Sequence, residues 1–176
     1  MGRSISLDHQ QLRRIIEERG LTPCHAFFAS FIASLSEAGI LNQAVVNFLA
    51  KHTAGVLHGY LKAMGFLNLA GAKGVAGFKK LVEDLNNALG IGERVEFREE
   101  DNVVEVGIGG DKCRYCPRGV GRAEIPGTAC PFPRLIEALA RLEGLDAVYR
   151  PREVNGRVEP LRREAGLCWI RYEVRR

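Results

Sequence analysis

The sequence predicts an α+β fold: N-terminal helices packed on one side of an antiparallel sheet of about four strands, in the order αααα-ββ-α-ββ(β). Three observations predict it. Apolar residues recur at three- and four-residue spacing through the first ninety or so positions, alternation replaces that period from residue 93, and a further helical stretch near 132–142 separates two hairpin patterns.

The first helix is read over residues 8 to 19. Leu12, Ile15 and Ile16 share a face, Asp8 is placed to cap the start, and Gly20 stops the run. Thr22 followed by Pro23 opens the second, because proline pre-sets helical φ where its missing donor costs nothing. Phe27, Phe28, Phe31, Ile32 and Leu35 form its stripe, which ends near Gly39. A third helix begins at Asn42 and runs to about Met64. It is apolar almost all round and carries the small residues Ala54, Gly55 and Gly59, which predicts a central buried helix. A glycine-rich connection from Gly65 to Gly77 leads to a fourth, with Phe78, Leu81, Val82, Leu85 and Leu89 at helical spacing and Gly90 and Gly92 closing it.

Val95 and Phe97 then share one strand face, residues 99 to 102 supply a turn, and Val104, Val106 and Ile108 share the face of a return strand. After a loop over 109 to 131, Phe132 and Pro133 open a fifth helix through Leu139 and Leu142 that Gly144 ends. The strong turn pair Asn155-Gly156 joins Ala147 to Val154 with Arg157 to Leu161, and Leu167 to Val174 forms the last strand. Pro151 and Pro160 lack ladder donors, so their strands should lie at edges or be interrupted. The reading is one domain over 1–176, with a helical part to about 90 and a sheet part from 93 that contains the cysteine loop.

Composition narrows the class. With 46% hydrophobic and 26% charged residues the chain is neither disordered nor fibrous. The net charge of +4 is scattered, and the C-terminal arginines alternate with Glu153, Glu159, Glu164 and Glu173, which argues against a nucleic-acid surface. The N-terminus has no secretory pattern, and polar residues break the apolar region between 21 and 70, so no membrane span is expected and a cytoplasmic location is. In that compartment five cysteines do not suggest a disulfide framework.

They suggest a metal instead. Cys113-Arg114-Tyr115-Cys116 is a CxxC pair whose thiolates can converge on one tetrahedral ion, and Cys130, just before a helix, brings a third sulfur. Cys168 is the first choice for the fourth ligand, followed by Glu124, a histidine or water. Zinc is the favoured ion. A redox-active or disulfide pair, an iron-sulfur cluster hinted at by the two Cys-Pro steps, and unligated thiols are the competing readings.

The sequence of helices, a hairpin, a cysteine loop, a helix and closing strands, with Val104-Glu105-Val106-Gly107 leading into Cys113 to Pro131, resembles archaeal members of the 4-vinyl reductase domain family. That family is related in fold to the TRAPP vesicle-tethering subunits. The resemblance implies a binding or sensing domain with an apolar pocket for a small hydrophobic molecule between helices and sheet, and a homodimer. It also implies a zinc site near the pocket; the Cys and Glu arrangement of phenol-sensing relatives is not clearly reproduced in this spacing. With no effector domain in the sequence, a sensor of this kind acts through a separate protein partner.

Other residues are site candidates. His52 and His58, six apart on the third helix, are not spaced as a metal pair but can anchor a ligand. Trp169 is the lone tryptophan, on the strand face opposite Cys168, Ile170 and Tyr172, and is read as a ligand-binding residue or an exposed dimer contact. The glycines at 71–77 and 107–110 lack the context of a phosphate loop, and no catalytic triad is identifiable. Three functions follow: a non-enzymatic binding module with a structural zinc site, a metal- or thiol-dependent redox enzyme, or a metal-stabilised assembly protein.

Overall fold

The computed structural model describes residues 9–109, 113–116, 130–154 and 156–175. The expected Asp8 cap, Asn155, Glu124 and most of the cysteine loop lie outside them, as does the Leu12 side chain. Five helices are described: α1 (His9–Arg19), α2 (Pro23–Glu37), α3 (Gln43–Ala63), α4 (Gly74–Leu89) and α5 (Phe132–Leu142). The strands are β1 (Arg94–Glu100), β2 (Val103–Gly109), β3 (Ala147–Tyr149), β4 (Arg152–Val154), β5 (Arg157–Glu159), β6 (Arg162–Glu164) and β7 (Leu167–Val174). The fold is α+β, as the periodicity predicted.

Local chemistry sets the helix ends. The Thr22 hydroxyl accepts from the His25 amide while the His25 ring accepts from the Thr22 amide, so His25 completes a capping box usually built with Glu or Gln. Asn42 caps α3 by accepting from the Val45 amide at 3.1 Å. Gly90 ends α4 in the left-handed region at φ 59°, where a glycine carries no Cβ penalty. The fourth helix starts earlier than its apolar stripe suggested. Gly77 lies on the Ala72 carbonyl, where a Cβ would stand only 2.5 Å from the oxygen, so the glycines there permit a tight entry to the helix.

The main sheet is antiparallel in the order β1-β2-β7-β3, with β6 also paired to β7. Pro151 and Pro160 fall in the breaks that separate the β4-β5 hairpin from β3 and β6. The β6-β7 turn is the pair Ala165 and Gly166, both with positive φ, a primed turn that suits right-twisted strands. Val104, Val106, Ile108, Ile170, Tyr172 and Val174 face the helices and form one core with α4 and α5.

Two expectations need correction. The central buried helix is α4, whose Phe78, Leu81, Val82 and Leu85 are at most 1% exposed. The third helix packs one face against α5, through Ala50, Ala54 and Leu61 among others, and leaves Phe48, Val56 and Tyr60 in the open. Its all-round apolarity does not reflect all-round burial.

Trp169 is not exposed either. It is 2% accessible on the sheet face away from the helices, lying over Gly107, with the Arg98 guanidinium 3.8 Å from the ring centroid. Arg98 also pairs with Glu164, and Glu105 pairs with Arg152, so the chain covers this face itself with charged side chains laid over an aromatic ring.

Gly92 shows how closely the segments meet. A Cβ there would stand 2.6 Å from the Gly109 backbone, where strand β2 ends. Asn86 braces the same turn, donating to the Gly92 carbonyl and accepting from its amide. Gly92→Ala is expected to cost about 2 kcal/mol. That would lower the melting temperature by roughly 4–8 °C in thermal denaturation.

Candidate functional site

The two residues between Cys113 and Cys116 fasten this part of the chain to the helices. Arg114 donates to the Arg19 carbonyl at the end of α1 and to the Gly90 carbonyl at the end of α4. A guanidinium placed there meets the carbonyl-rich, partly negative ends of two helices at once. Tyr115 donates its hydroxyl to the Leu89 carbonyl at 2.8 Å, and its ring meets the edges of Phe28 and Phe132. Arg19 returns the contact by donating to the Cys116 carbonyl. Sequence reasoning singled out the cysteines and missed these two residues, although an arginine and a tyrosine inside the pair were visible.

The four candidate sulfurs come from three places. Cys113 and Cys116 lie in the loop after β2, Cys130 precedes α5, and Cys168 is on β7 opposite Ile108, at the end of the sheet where β2 runs into the loop. Antiparallel pairing of β2 with β7 is what brings Cys168 beneath the others. Backbone amides of Tyr115 and Cys116 donate to the Cys113 sulfur, and the Phe132 amide donates to that of Cys130. These contacts favour thiolate.

Burial opposes them. It pushes the Cys113 thiol up to about 12, and raises Cys130 well above the ordinary value, with the neighbouring sulfurs adding to the rise in both. The Cys116 sulfur stands 4.0 Å from the Arg163 guanidinium. None of the five cysteines is in a disulfide, and Cys24 is exposed on α2. Among the described residues, no three histidine, cysteine or acidic side chains are gathered as a ready coordination shell. The donor set, sulfur-only with amides aimed at two of the sulfurs, is of the kind that suits zinc.

Beside the cysteines lies an apolar cavity of about 330 Å³. Phe31, Ile32 and Leu35 of α2, Val46, Ala50 and Leu57 of α3, and Leu135 of α5 contribute to it, and Tyr115, Pro131 and Phe132 line it as well. The cysteine loop is therefore part of the cavity wall. The sheet is not: the expected pocket between helices and sheet lies among α2, α3, α5, the Leu89 end of α4 and the loop, because the rest of α4 fills the space over the sheet. The polar groups on the wall are few. Thr53 sits at the exposed rim, and the Tyr115 hydroxyl is already engaged.

The other candidates lie elsewhere. His52 sits on the outside of α3, its ring 4.0 Å from that of Phe48 and its Nδ1 2.9 Å from the Phe48 carbonyl. His58 meets Glu143 at 2.6 Å, where α3 crosses α5, and Lys62 shares the same carboxylate. Burial pushes Glu143 up, but the hydrogen bonds from His58 and Lys62 outweigh it and hold the carboxyl below its usual range. Neither histidine lines the cavity, nor does Trp169.

This fold and site define a helix-covered antiparallel sheet domain with an apolar cavity walled in part by a cysteine loop. The chain belongs to the MJ0207 family, whose sequence pattern matches residues 39–174. The matched region holds α3, α4, the cysteines of the loop and the whole main sheet; α1 and α2 precede it. The chain is also similar to Uncharacterized protein MJ1342 of Methanocaldococcus jannaschii, 40% identical over 69 residues, which is 39% of this chain and 59% of that relative. The match thus spans a little over half of the relative's length. No solved structure matches significantly. Among the described residues, no helix is long and apolar enough to cross a membrane.

Proposed function

We propose that this protein is a binding or sensing domain for a small, uncharged, hydrophobic molecule, with a structural zinc ion ordering the cysteine loop that walls its cavity. The observation that carries the reading is the apolar cavity of about 330 Å³ whose lining includes Tyr115, Pro131 and Phe132. Its size falls at the lower end of small-molecule sites, and its lining fits an aromatic or aliphatic compound with at most one polar contact, at Thr53.

Cys113, Cys116, Cys130 and Cys168 are the residues that would hold the zinc, which supplies the positive charge that buried thiolates need. Binding it would release protons and draw the loop against the cavity. The resemblance to 4-vinyl reductase domains supports a zinc site beside an apolar pocket in kind, although the cavity here lies among helices and loop and not against the sheet; a cytoplasmic sensor acting through a separate protein belongs to the same proposal. A redox enzyme has less support, since burial of Cys113 and Cys130 works against the nucleophilic thiolate that such chemistry uses.

Titration with the neutral fluorophore N-phenyl-1-naphthylamine tests the cavity. Blue-shifted, saturable binding is expected, and Thr53→Trp, which places a bulky ring at the exposed rim, should weaken it at least about tenfold. Absence of saturable uptake by the unaltered protein would remove the ligand-binding reading.

A further inference from the structure

Arginines gather on the sheet face away from the helices. Strand register lines up Arg98 of β1, Glu105 of β2 and Arg171 of β7 in one cross-strand row. Arg152, which opens β4, and Arg162, which opens β6, reach the same row, since both meet Glu105. With Val103 these side chains line a cleft of about 420 Å³.

Its charges do not cancel. Glu105 takes Arg152 and Arg162, while Glu164 takes Arg98 at 3.1 Å and shares Arg162 at 2.5 Å. Arg171 is exposed and has no ion pair among the described residues. Glu99 alternates to the helix side of β1 and pairs with Lys79, so Glu100 at the strand end is the remaining carboxylate of the lining. The four arginines therefore outnumber Glu100, Glu105 and Glu164 by one.

Donors are in larger excess than charge. Each guanidinium carries five N–H groups and no acceptor. The Arg162 Nε is buried with no hydrogen-bond partner among the described residues, a state that folded proteins rarely tolerate. Burial, and next the like charges of Arg162 and Arg171, also pull the Arg152 guanidinium below its ordinary value.

We propose that this cleft binds a small phosphate-bearing molecule, with Arg171 as the guanidinium free to take its oxygens. A phosphate group presents several acceptor oxygens to planar N–H forks, which makes it the natural partner of clustered arginines. Val103 is the one apolar side chain of the lining, so the cleft has no use for the hydrophobic molecule proposed for the cavity. It lies across the sheet from the helices that form that cavity, and its occupancy does not depend on it. The volume is that of a small-molecule site. A long polyanion fits less well, because the next row on the same face sets Glu100 and Glu173 on either side of Val103.

Equilibrium dialysis of the full chain against radiolabelled inorganic pyrophosphate, in about 0.15 M chloride to suppress diffuse charge effects, tests the assignment. Saturable uptake of one pyrophosphate per chain with a dissociation constant below about 1 mM is expected. Arg171→Ala should weaken it at least about tenfold without changing the melting temperature, because that side chain is exposed and holds no ion pair. Arg175→Ala removes another exposed arginine just beyond the same strand and should bind as the unaltered protein does. Absence of saturable uptake at about 10 mM overturns the proposal. So does undiminished binding by Arg171→Ala, an equal loss in both variants, or a single-stranded oligonucleotide that displaces pyrophosphate and binds more tightly, which would mark a nucleic-acid surface instead.

Discussion

Trp169→Ala is expected to cost about 3–5 kcal/mol of folding stability while leaving the oligomeric state unchanged. The ring is one of the largest fully buried side chains, held between the Gly107 backbone and the Arg98 guanidinium. Its removal opens a cavity that a short strand pairing cannot collapse, because Gly107 has no side chain to swing in. Arg98 would also lose its aromatic face while its ion pair with Glu164 persists. Trp169→Phe should lose less than half as much. The indole Nε1 is buried with no hydrogen-bond partner among the described residues, and phenylalanine removes that unsatisfied donor along with part of the ring. Chemical denaturation measures both; a loss under about 1 kcal/mol for alanine would show that the ring is not packed as described.

The second large effect concerns the cysteines. Protein purified under reducing conditions is expected to carry about one zinc per chain by elemental analysis, and Cys113→Ser with Cys130→Ser to carry none. An ion present at a thousandfold excess over its dissociation constant adds about 4 kcal/mol, so the double variant or chelation should lower the melting temperature by roughly 10 °C. Serine at these two positions removes the thiolates while its hydroxyl can still accept from the same backbone amides. Unchanged melting together with no bound metal in the unaltered protein would leave the hydrogen bonds of Arg19, Arg114 and Tyr115 as what fastens the cysteine pair among the described residues.

Arg114 and Tyr115 show where reading the sequence ran short. CxxC spacing is a local pattern and was visible at once. That Arg114 reaches the carbonyl ends of α1 and α4, separated from it by 95 and 24 residues, depends on where three segments meet in space. The same holds for His58 with Glu143, which is 85 residues distant. His25 is the contrary case. Its capping role lies three residues from Thr22 and was in principle legible, but histidine is an uncommon partner in a capping box.

The third helix shows a different failure. Apolar residues all round it predict burial, but periodicity records how much of a helix avoids water and not what covers it. Its strip from Phe48 to Tyr60 has the composition of a core and the exposure of a surface. Trp169 went astray in the opposite direction. Alternation put it on the face opposite Cys168 without deciding which face meets the core, and a side chain on the far face of a sheet can be buried by arginines of its own chain.

By itself the sequence determined the helix stripes, their caps at Thr22, Asn42 and Gly90, the hairpin pattern with its proline breaks, and the close spacing of Cys113 and Cys116. Each of these rests on backbone preference or side-chain period within a few residues, where chain connectivity holds the partners together. Which helix became the core, which face of the sheet the tryptophan took, and that the cavity opened among α2, α3, α5 and the cysteine loop were decided only in three dimensions. Those outcomes follow from how volumes fill the space over the sheet: α4 occupies it, so α3 is left with one face packed on α5 and the other turned outward.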